Sequence, residues 1–397
     1  MSRLSDDKLR EIVARFPTTR DEDWKYTDLS QARDIASRWL DEKPATAASA
    51  LQDDAAAITS TIDAAWLVIA DGVLQTTQAP DGVSVDRVDD IPVGDSALAE
   101  FNAALVRDGI RIRVSGQVER PIGLLLLDSA EQTSVAQAYV EVEFQNGASG
   151  ELIEYHVSRG DADQYANTIV TLHVSDAAIA SHVRIQDRGR NHLQTSKTRV
   201  SLGKDARFSS ASFDLGGGMV RNDIDIDIAN TGAEVSFDGL YLAGDGQHLD
   251  NHTRVDHRVG PATSRQEYRG ILNGRCRCVW NGKAIVHEGA DGTDADQANH
   301  NLLLSEKAEI DAKPELEIYT DDVKCSHGTT VGQLDETALF YLRTRGLDRT
   351  AAMQVLTHAF AAGLVSRVPV EAARGAVSAL IERRLEELAV TIEEDPS

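Results

Sequence analysis

Residues 223–237 read Asp-Ile-Asp-Ile-Asp-Ile-Ala-Asn-Thr-Gly-Ala-Glu-Val-Ser-Phe, and this stretch decides the fold. Apolar and polar residues alternate in its first half and again after the Gly-Ala pair. Side chains of a β-strand point alternately to opposite faces of a sheet, so each half predicts a strand with one buried face. The same alternation recurs from Gly109 to about residue 330, for example at residues 110–113 and 140–144. We therefore predict that this part of the chain is built from short strands.

Turns in this part of the chain return at a steady interval. At six places a small or turn-forming residue precedes an alanine and then a strand, and successive alanines are 27 to 29 residues apart. Such a period is typical of stacked coils, in which each coil buries its apolar face against the next. We favour a parallel β-helix or a related β-solenoid, and the alternative is a large antiparallel sandwich with accidental spacing. The alanines are Ala148, Ala177, Ala206, Ala233, Ala262 and Ala290.

Helical patterns flank the strands on both sides. Residues 5–16 carry apolar residues at helical spacing, and the same spacing returns from Asp335 onward. The acidic residues 393–397 are expected to form a frayed tail. The predicted organisation is a mostly helical N-terminal region over residues 1–108, a β-helix core over residues 109–330 and a C-terminal helical domain over residues 331–397.

The composition argues against several classes of protein. The 397 residues include 64 Asp and Glu against 40 Lys and Arg, and the net charge of −24 disfavours binding to nucleic acid or to an anionic membrane. The sequence begins without the apolar segment of a signal peptide, and its longest purely apolar run, residues 124–127, is far too short to span a membrane. Three cysteines in so long a chain do not make a disulfide framework, which predicts a reducing, cytoplasmic location.

A cysteine and a histidine stand two residues apart directly after the last predicted strand. In the sequence Val-Lys-Cys-Ser-His-Gly of residues 323–328, Cys325 and His327 lie on the same side of an extended segment. Thiolate sulfur and imidazole nitrogen both suit iron, copper or zinc, but a structural site usually takes four protein ligands. A metal held here would need ligands from elsewhere in the chain or from a second chain. The alternative is a chance pair that includes a buried, inert cysteine.

Histidines and aspartates are also dense in residues 247–257. In a strand, His248, Asp250 and His252 share one face while His257 points to the other, so the possible ligands are divided. A metal-dependent β-solenoid enzyme that uses these residues is the alternative function, and hydrogen-bonded packing along a coil is the simpler interpretation. The chain has no phosphate-loop motif, so any ATP needed for energy-dependent work must be bound by another chain.

Several longer stretches match a known pattern in order over most of the chain. The most specific includes Val-Lys-Cys-Ser-His-Gly of residues 323–328, and another is Trp-Lys-Tyr-Thr of residues 24–27. The full set is residues 22–27, 246–253, 268–272, 295–297, 301–305 and 314–346. Together they resemble the SufB/SufD family of the SUF system for iron–sulfur cluster assembly, and the SufD branch more than the SufB branch.

This resemblance implies a right-handed parallel β-helix that acts as a non-enzymatic scaffold in a complex with SufB and the ATPase SufC. Family members pair with SufB through the end of the β-helix and dock SufC, which binds the ATP, on the C-terminal helical domain. Without SufB, a homodimer is possible. The resemblance also implies that a nascent iron–sulfur cluster is shared with SufB, with Cys325 and His327 as ligands and His327 the more important one. It assigns no role to Cys276 or Cys278. The residues expected to dock SufC are Leu339, Phe340, Tyr341, Arg345, Gly346 and Phe360.

Overall fold

A computed structural model describes residues 4–42 and 51–394 of the chain. Over these residues the chain is mainly β, with a parallel β-solenoid core of about 7 turns and helices at both ends. The predicted fold class is thereby confirmed. Residues 395–397 of the predicted acidic tail lie outside the described residues.

The N-terminal part of the chain contains both helices and strands. Its elements are α1 (Asp6–Ala14), a 3₁₀ helix (Glu22–Trp24), α2 (Ser30–Glu42), α3 (Gln52–Thr59), β1 (Ala65–Ala70), β2 (Val73–Thr77), β3 (Val83–Val88) and α4 (Ala97–Leu105). The side chain of Ser5 caps α1 by accepting a hydrogen bond from the amide of Lys8. The three strands join the sheets of the solenoid, so these sheets begin before residue 109.

The body of the molecule is a stack of coils with two strands each. Its strands are β4 (Gly109–Val114), β5 (Ile122–Ser129), β6 (Ser134–Phe144), β7 (Ser149–Arg159), β8 (Gln164–Val174), β9 (Ile179–Asp187), β10 (His192–Leu202), β11 (Arg207–Asp214), β12 (Met219–Ile228), β13 (Glu234–Ala243), β14 (His248–His257), β15 (Thr263–Leu272), β16 (Arg277–Val286), β17 (Thr293–Leu303), β18 (Glu309–Ile318) and β19 (Val323–Gly332). Odd-numbered strands from β5 onward form sheet A with β1 and β2, and even-numbered strands from β4 onward form sheet B with β3. Neighbours are parallel except in the initial pairs β1–β2 and β3–β4, which excludes the antiparallel sandwich.

The alanines of the repeat mark the turn that leads into each strand of sheet A. Ala148 and Ala206 are fully buried, and each follows a residue in the left-handed region, Gly147 (φ 69°) and Asp205 (φ 54°). At the second repeat the left-handed residue is Ala177 (φ 57°), and the buried residue is Ala178. The predicted position was therefore wrong by one residue, because two alanines stand side by side and only one of them faces the interior.

Helices cover the outer faces of both sheets. The C-terminal helices are α5 (Glu336–Thr344), α6 (Arg349–Val365) and α7 (Glu371–Glu394). Val377 and Leu385 of α7 are buried in one cluster with Leu240 and Leu242 of β13, so α7 packs on sheet A. Helices α1, α2 and α4 form a second cluster against the first strands of sheet B. In the described ranges, none of the helices combines the length and the apolar character needed to span a membrane.

Candidate functional site

The solenoid ends with an uncovered coil, and this end carries Cys325 and His327. Strand β19 is the last of sheet A, and its register places Cys325 beside Ala295 and His327 beside Gln297 of β17. Ala295 and Gln297 face the interior and are only 1% and 3% exposed. Cys325 and His327 continue these inward-facing columns, but no further coil covers them, so Cys325 is half-buried and His327 is exposed. The predicted pair therefore lies at the open end of the solenoid.

Contacts on the outer face hold β19 in place. The hydroxyl of Ser326 donates a hydrogen bond to the carboxylate of Asp296, and Thr330 Oγ1 lies 2.9 Å from Nδ1 of His300. Both partners belong to β17, so the edge strand is fixed from the side opposite the two metal donors. The inner face is left free to meet a ligand or a second chain.

The two donors form an incomplete metal site. Burial raises the pKa of the Cys325 thiol; a hydrogen bond with the Ala295 backbone partly opposes this, and the nearby charge of Asp294 adds a smaller increase. Metal binding must therefore displace the thiol proton. In the part of the chain that the structure describes, no three His, Cys, Asp or Glu side chains are grouped so that they could hold a metal ion. A metal bound by Cys325 and His327 would need its other ligands from outside the described residues, for example from a second chain.

Apolar side chains surround this open end and were not singled out from the sequence. Ile318 and Tyr319 at the end of β18, and Val331 on β19, are among the large apolar residues with the greatest exposure. Both last strands also have one edge without a neighbouring strand in the described chain. Exposed strand edges with apolar side chains are typical of surfaces that pair with another sheet.

The alternative site around His248 and Asp250 is occupied by an internal ion pair. Asp250 is fully buried, and its Oδ2 accepts hydrogen bonds from Arg221 Nη1 at 2.5 Å and from the hydroxyl of Thr27. Burial would raise the pKa of Asp250, but Arg221, His252 and Thr27 together lower it well below its usual range. A bound cation would have to compete with the Arg221 guanidinium for this carboxylate.

His257 does not join this group. It is buried inside the solenoid, where Nε2 lies 2.9 Å from Ser264 Oγ, and burial lowers its pKa to about 4. The ring is therefore neutral at pH 7 and is used in packing between the sheets. His248 lies on the outer face instead, with Nε2 at 2.8 Å from Thr27 Oγ1. These contacts favour the packing interpretation over the metal-dependent enzyme.

We expect Arg221→Ala to lower the free energy of unfolding by about 3–5 kcal/mol, because Asp250 would remain as a buried carboxylate without its guanidinium partner. Chemical denaturation followed by circular dichroism measures this change. The matched control is Arg207→Ala, since Arg207 pairs with Glu234 at 3.5 Å on the exposed surface, where a pair contributes no more than about 1 kcal/mol. Equal losses in the two variants would contradict a structural role for Arg221 and Asp250.

The residues predicted to dock SufC divide into buried and exposed groups. Leu339 is buried, and Phe360 lies against the solenoid with its ring 5.2 Å from the Arg269 guanidinium. Phe340 and Tyr341 are 68% and 57% exposed on α5. The Tyr341 ring is held by Arg345, whose Nη2 donates to the tyrosine oxygen at 3.2 Å, and Gly346 (φ 98°) ends the helix. Phe340 and Tyr341 are therefore the large apolar side chains that α5 leaves exposed.

Cys276 and Cys278 lie in the core of the solenoid. The two side chains are hydrogen-bonded to each other, and burial raises the pKa of Cys278 well above its usual value. They are packed thiols with no surface exposure that would suit a reactive site.

The comparison with known families agrees with this architecture. Residues 126–360 match the family model described as SUF system FeS cluster assembly, SufBD core domain. The chain therefore belongs to the SufBD family of the SUF system for iron–sulfur cluster assembly.

Individual relatives extend the match to nearly the whole chain. The sequence is 32% identical to the iron-sulfur cluster assembly protein SufD of Escherichia coli, over 93% of this chain and 89% of that protein. It is 28% identical to the SufBD family protein Rv1462 of Mycobacterium tuberculosis, over 93% of this chain and 89% of the relative. Its identity to SufD of Bacillus subtilis is 26%, over 75% of this chain and 69% of that protein. The resemblance inferred from the sequence motifs is thus confirmed.

Proposed function

We propose that this chain is a non-enzymatic scaffold subunit that pairs with a SufB-like paralogue and helps to hold a nascent iron–sulfur cluster. The observation that carries the proposal is the placement of Cys325 and His327 on the uncovered inner face of the last coil. Two donors cannot complete a coordination sphere, and the open end is where a second solenoid can bring the missing ligands. The cluster is cargo that the two chains build and then release.

The chemistry of the two donors supports this role. Iron–sulfur clusters are held mainly by cysteine thiolates, and histidine also serves as a ligand in some clusters. The neutral imidazole of His327 would bind iron through a ring nitrogen, and Cys325 would bind after losing its proton. Because Cys325 is half-buried with a raised pKa while His327 is exposed, His327 is the donor that an incoming iron meets first.

The open end also fits a partner of the same fold. A second solenoid placed end to end would cover the apolar residues Ile318 and Val331 and supply strands for the free edges of β18 and β19. When the paralogue is absent, a second copy of this chain is the alternative occupant. A reducing cytoplasm suits such a site, since all three cysteines are free thiols.

The C-terminal helices would dock a SufC-like ATPase. Phe340 and Tyr341 form the exposed apolar contact, and ATP is bound by the partner. The helices are also tied to the solenoid, because Arg367 Nη2 lies 2.7 Å from Glu267 on β15 and Arg383 Nη2 lies 2.6 Å from Asp187 on β9. A movement of the ATPase could therefore be transmitted to the sheet that carries Cys325 and His327.

Anaerobic co-expression with SufB-like and SufC-like partners tests this proposal. We expect the chain alone to purify without iron and the complex to contain iron and acid-labile sulfide, with the absorption of an iron–sulfur cluster. Iron, sulfide and protein are measured in both preparations. Stoichiometric metal on the isolated chain, or failure of the partners to co-purify, would contradict the scaffold function.

A further inference from the structure

A groove of about 690 Å³ crosses the outer face of sheet B, beside the part that the N-terminal helices cover. Its floor consists of outward-facing side chains of the strands from β8 to β18, and residues 22–26 line one side. The volume is in the range of small-molecule sites. Neither the open-end donors nor helix α5 lines this groove, so the proposed function leaves it unused.

The side wall of the groove is rigidly held. The Trp24 ring packs on the guanidinium of Arg221 at 4.5 Å, and the Tyr26 ring packs on that of Arg277 at 5.5 Å. Thr27, which follows, is fully buried and bonded to the floor strand β14. Cation–π contacts and buried hydrogen bonds fix the wall, so the groove is formed before any ligand arrives.

The groove differs in charge from the rest of the molecule. Lys and Arg slightly outnumber Asp and Glu in its lining, whereas the whole chain has 40 Lys and Arg against 64 Asp and Glu. The acids of the floor are already paired, since Asp223 lies 2.8 Å from Arg221 and Asp225 lies 2.5 Å from Lys197. Their negative charge is therefore compensated within the floor.

Two cations lie side by side in the middle of the floor. Arg254 of β14 and Lys283 of β16 are neighbours in the parallel register. Each has an acidic partner, Asp256 and Glu317 respectively, but neither of these acids lines the groove. Both cations can therefore bind an anion that enters from the groove.

Two further cations of the lining have no acidic partner in the described part of the chain. Within the described residues, neither Lys25 nor Arg199 forms an ion pair, and the Lys25 ammonium lies 5.3 Å from the Tyr26 ring centroid. Lys25 belongs to the wall and Arg199 to the floor. Cations that converge from two sides of a fixed groove make a site for a ligand with more than one negative group.

We propose that this groove binds a small molecule with two or more phosphate groups, held by Arg254 and Lys283 from the floor and by Lys25 from the wall. Adjacent parallel strands are about 4.8 Å apart, so neighbouring cations of the floor present charges that linked phosphates can reach together. Inorganic oligophosphates and nucleotides share this chemistry. This site is separate from the open end and does not depend on the scaffold function.

Calorimetric titration of the full chain with inorganic tripolyphosphate and with ATP tests the site. It also distinguishes binding of an inorganic oligophosphate from binding of a nucleotide. We expect the wild type to bind at least one of them, with affinity that falls as salt is added. The double variant Arg254→Gln with Lys283→Gln should lose at least about tenfold in affinity, since it removes two charge-assisted contacts. The single variant Lys25→Gln should also weaken binding. It tests the proposal on its own if the double variant does not fold.

The matched control is the double variant Arg207→Gln with Arg265→Gln. Both arginines lie on the outer face of sheet A, where they pair with Glu234 and Asp294 on the exposed surface. This control removes the same charge and should keep the wild-type affinity. Absence of wild-type binding at millimolar ligand, or an equal loss in the control, would overturn the proposal.

Discussion

The variant His327→Ala is expected to assemble with its partners but to contain almost no iron or sulfide. His327 and Cys325 are the two predicted metal donors at the open end, and His327 is the more exposed of the two. Because the side chain is exposed, its truncation leaves no cavity, and the free energy of unfolding should change by no more than about 0.5 kcal/mol. Iron and acid-labile sulfide per complex, with anaerobic absorption spectra, measure the effect.

His173→Ala is the matched control for this prediction. His173 is an exposed residue of β8, where Nδ1 lies 2.7 Å from Ser201 Oγ, and it makes no contact with β19. The control thus removes the same ring from a strand remote from the open end, and this variant should keep its iron and sulfide. Cys325→Ser should retain the complex and lose part of the cluster. Normal iron and sulfide in His327→Ala would show that the donor role of His327 is wrong.

Much of the fold could be predicted because a solenoid is built from local and repeated features. Alternation at residues 223–228 specifies a strand with one buried face, and the turn residues return at nearly constant spacing. The single-residue error at Ala177 arose from a local ambiguity, since Ala177 and Ala178 both follow a turn and only the backbone conformation separates them. Repetition therefore predicts the architecture more firmly than it predicts individual positions.

The features that the sequence did not predict depend on contacts between residues that are far apart in the chain. Thr27 and Asp250 are 223 positions apart, yet their hydrogen bond occupies the carboxylate of the alternative metal site around residues 248–252. The interior is equally hard to foresee, because Arg184 and Asp214 are buried and joined at 2.8 Å where alternation alone predicts apolar side chains. A binary pattern indicates which face is buried, but the partner that satisfies a buried charge is visible only in three dimensions.

The end of the sheet was predicted as the place of Cys325 and His327, but their location inside a further strand, β19, required the structure. Their spacing predicted that they share one face, but the same spacing would fit the interior of any other coil. Ala295 and Gln297 occupy the equivalent positions one coil earlier and are buried. The two inward-facing side chains are accessible only because the stack of coils ends at β19.

The double variant Phe340→Ala with Tyr341→Ala is expected to lose at least about a hundredfold in affinity for the SufC-like ATPase while still pairing with the SufB-like subunit. Exposed aromatic side chains at the centre of a contact commonly carry most of its binding energy. Both side chains point away from the solenoid, so their truncation should leave the fold intact. Deleting the helical domain would be a poorer test, because α7 covers apolar residues of sheet A. Calorimetry with the purified ATPase measures the affinity.

A reciprocal variant separates docking from a general loss of apolar surface. Ile318→Ala with Tyr319→Ala removes two exposed apolar side chains beside the open end and should weaken pairing with the SufB-like subunit instead. Leu339→Ala is expected to act differently again, through the stability of α5, since Leu339 is buried. If the Phe340 and Tyr341 variant bound the ATPase as tightly as the wild type, α5 would not be the docking surface. A different partner would then be needed to explain the exposure of Phe340 and Tyr341.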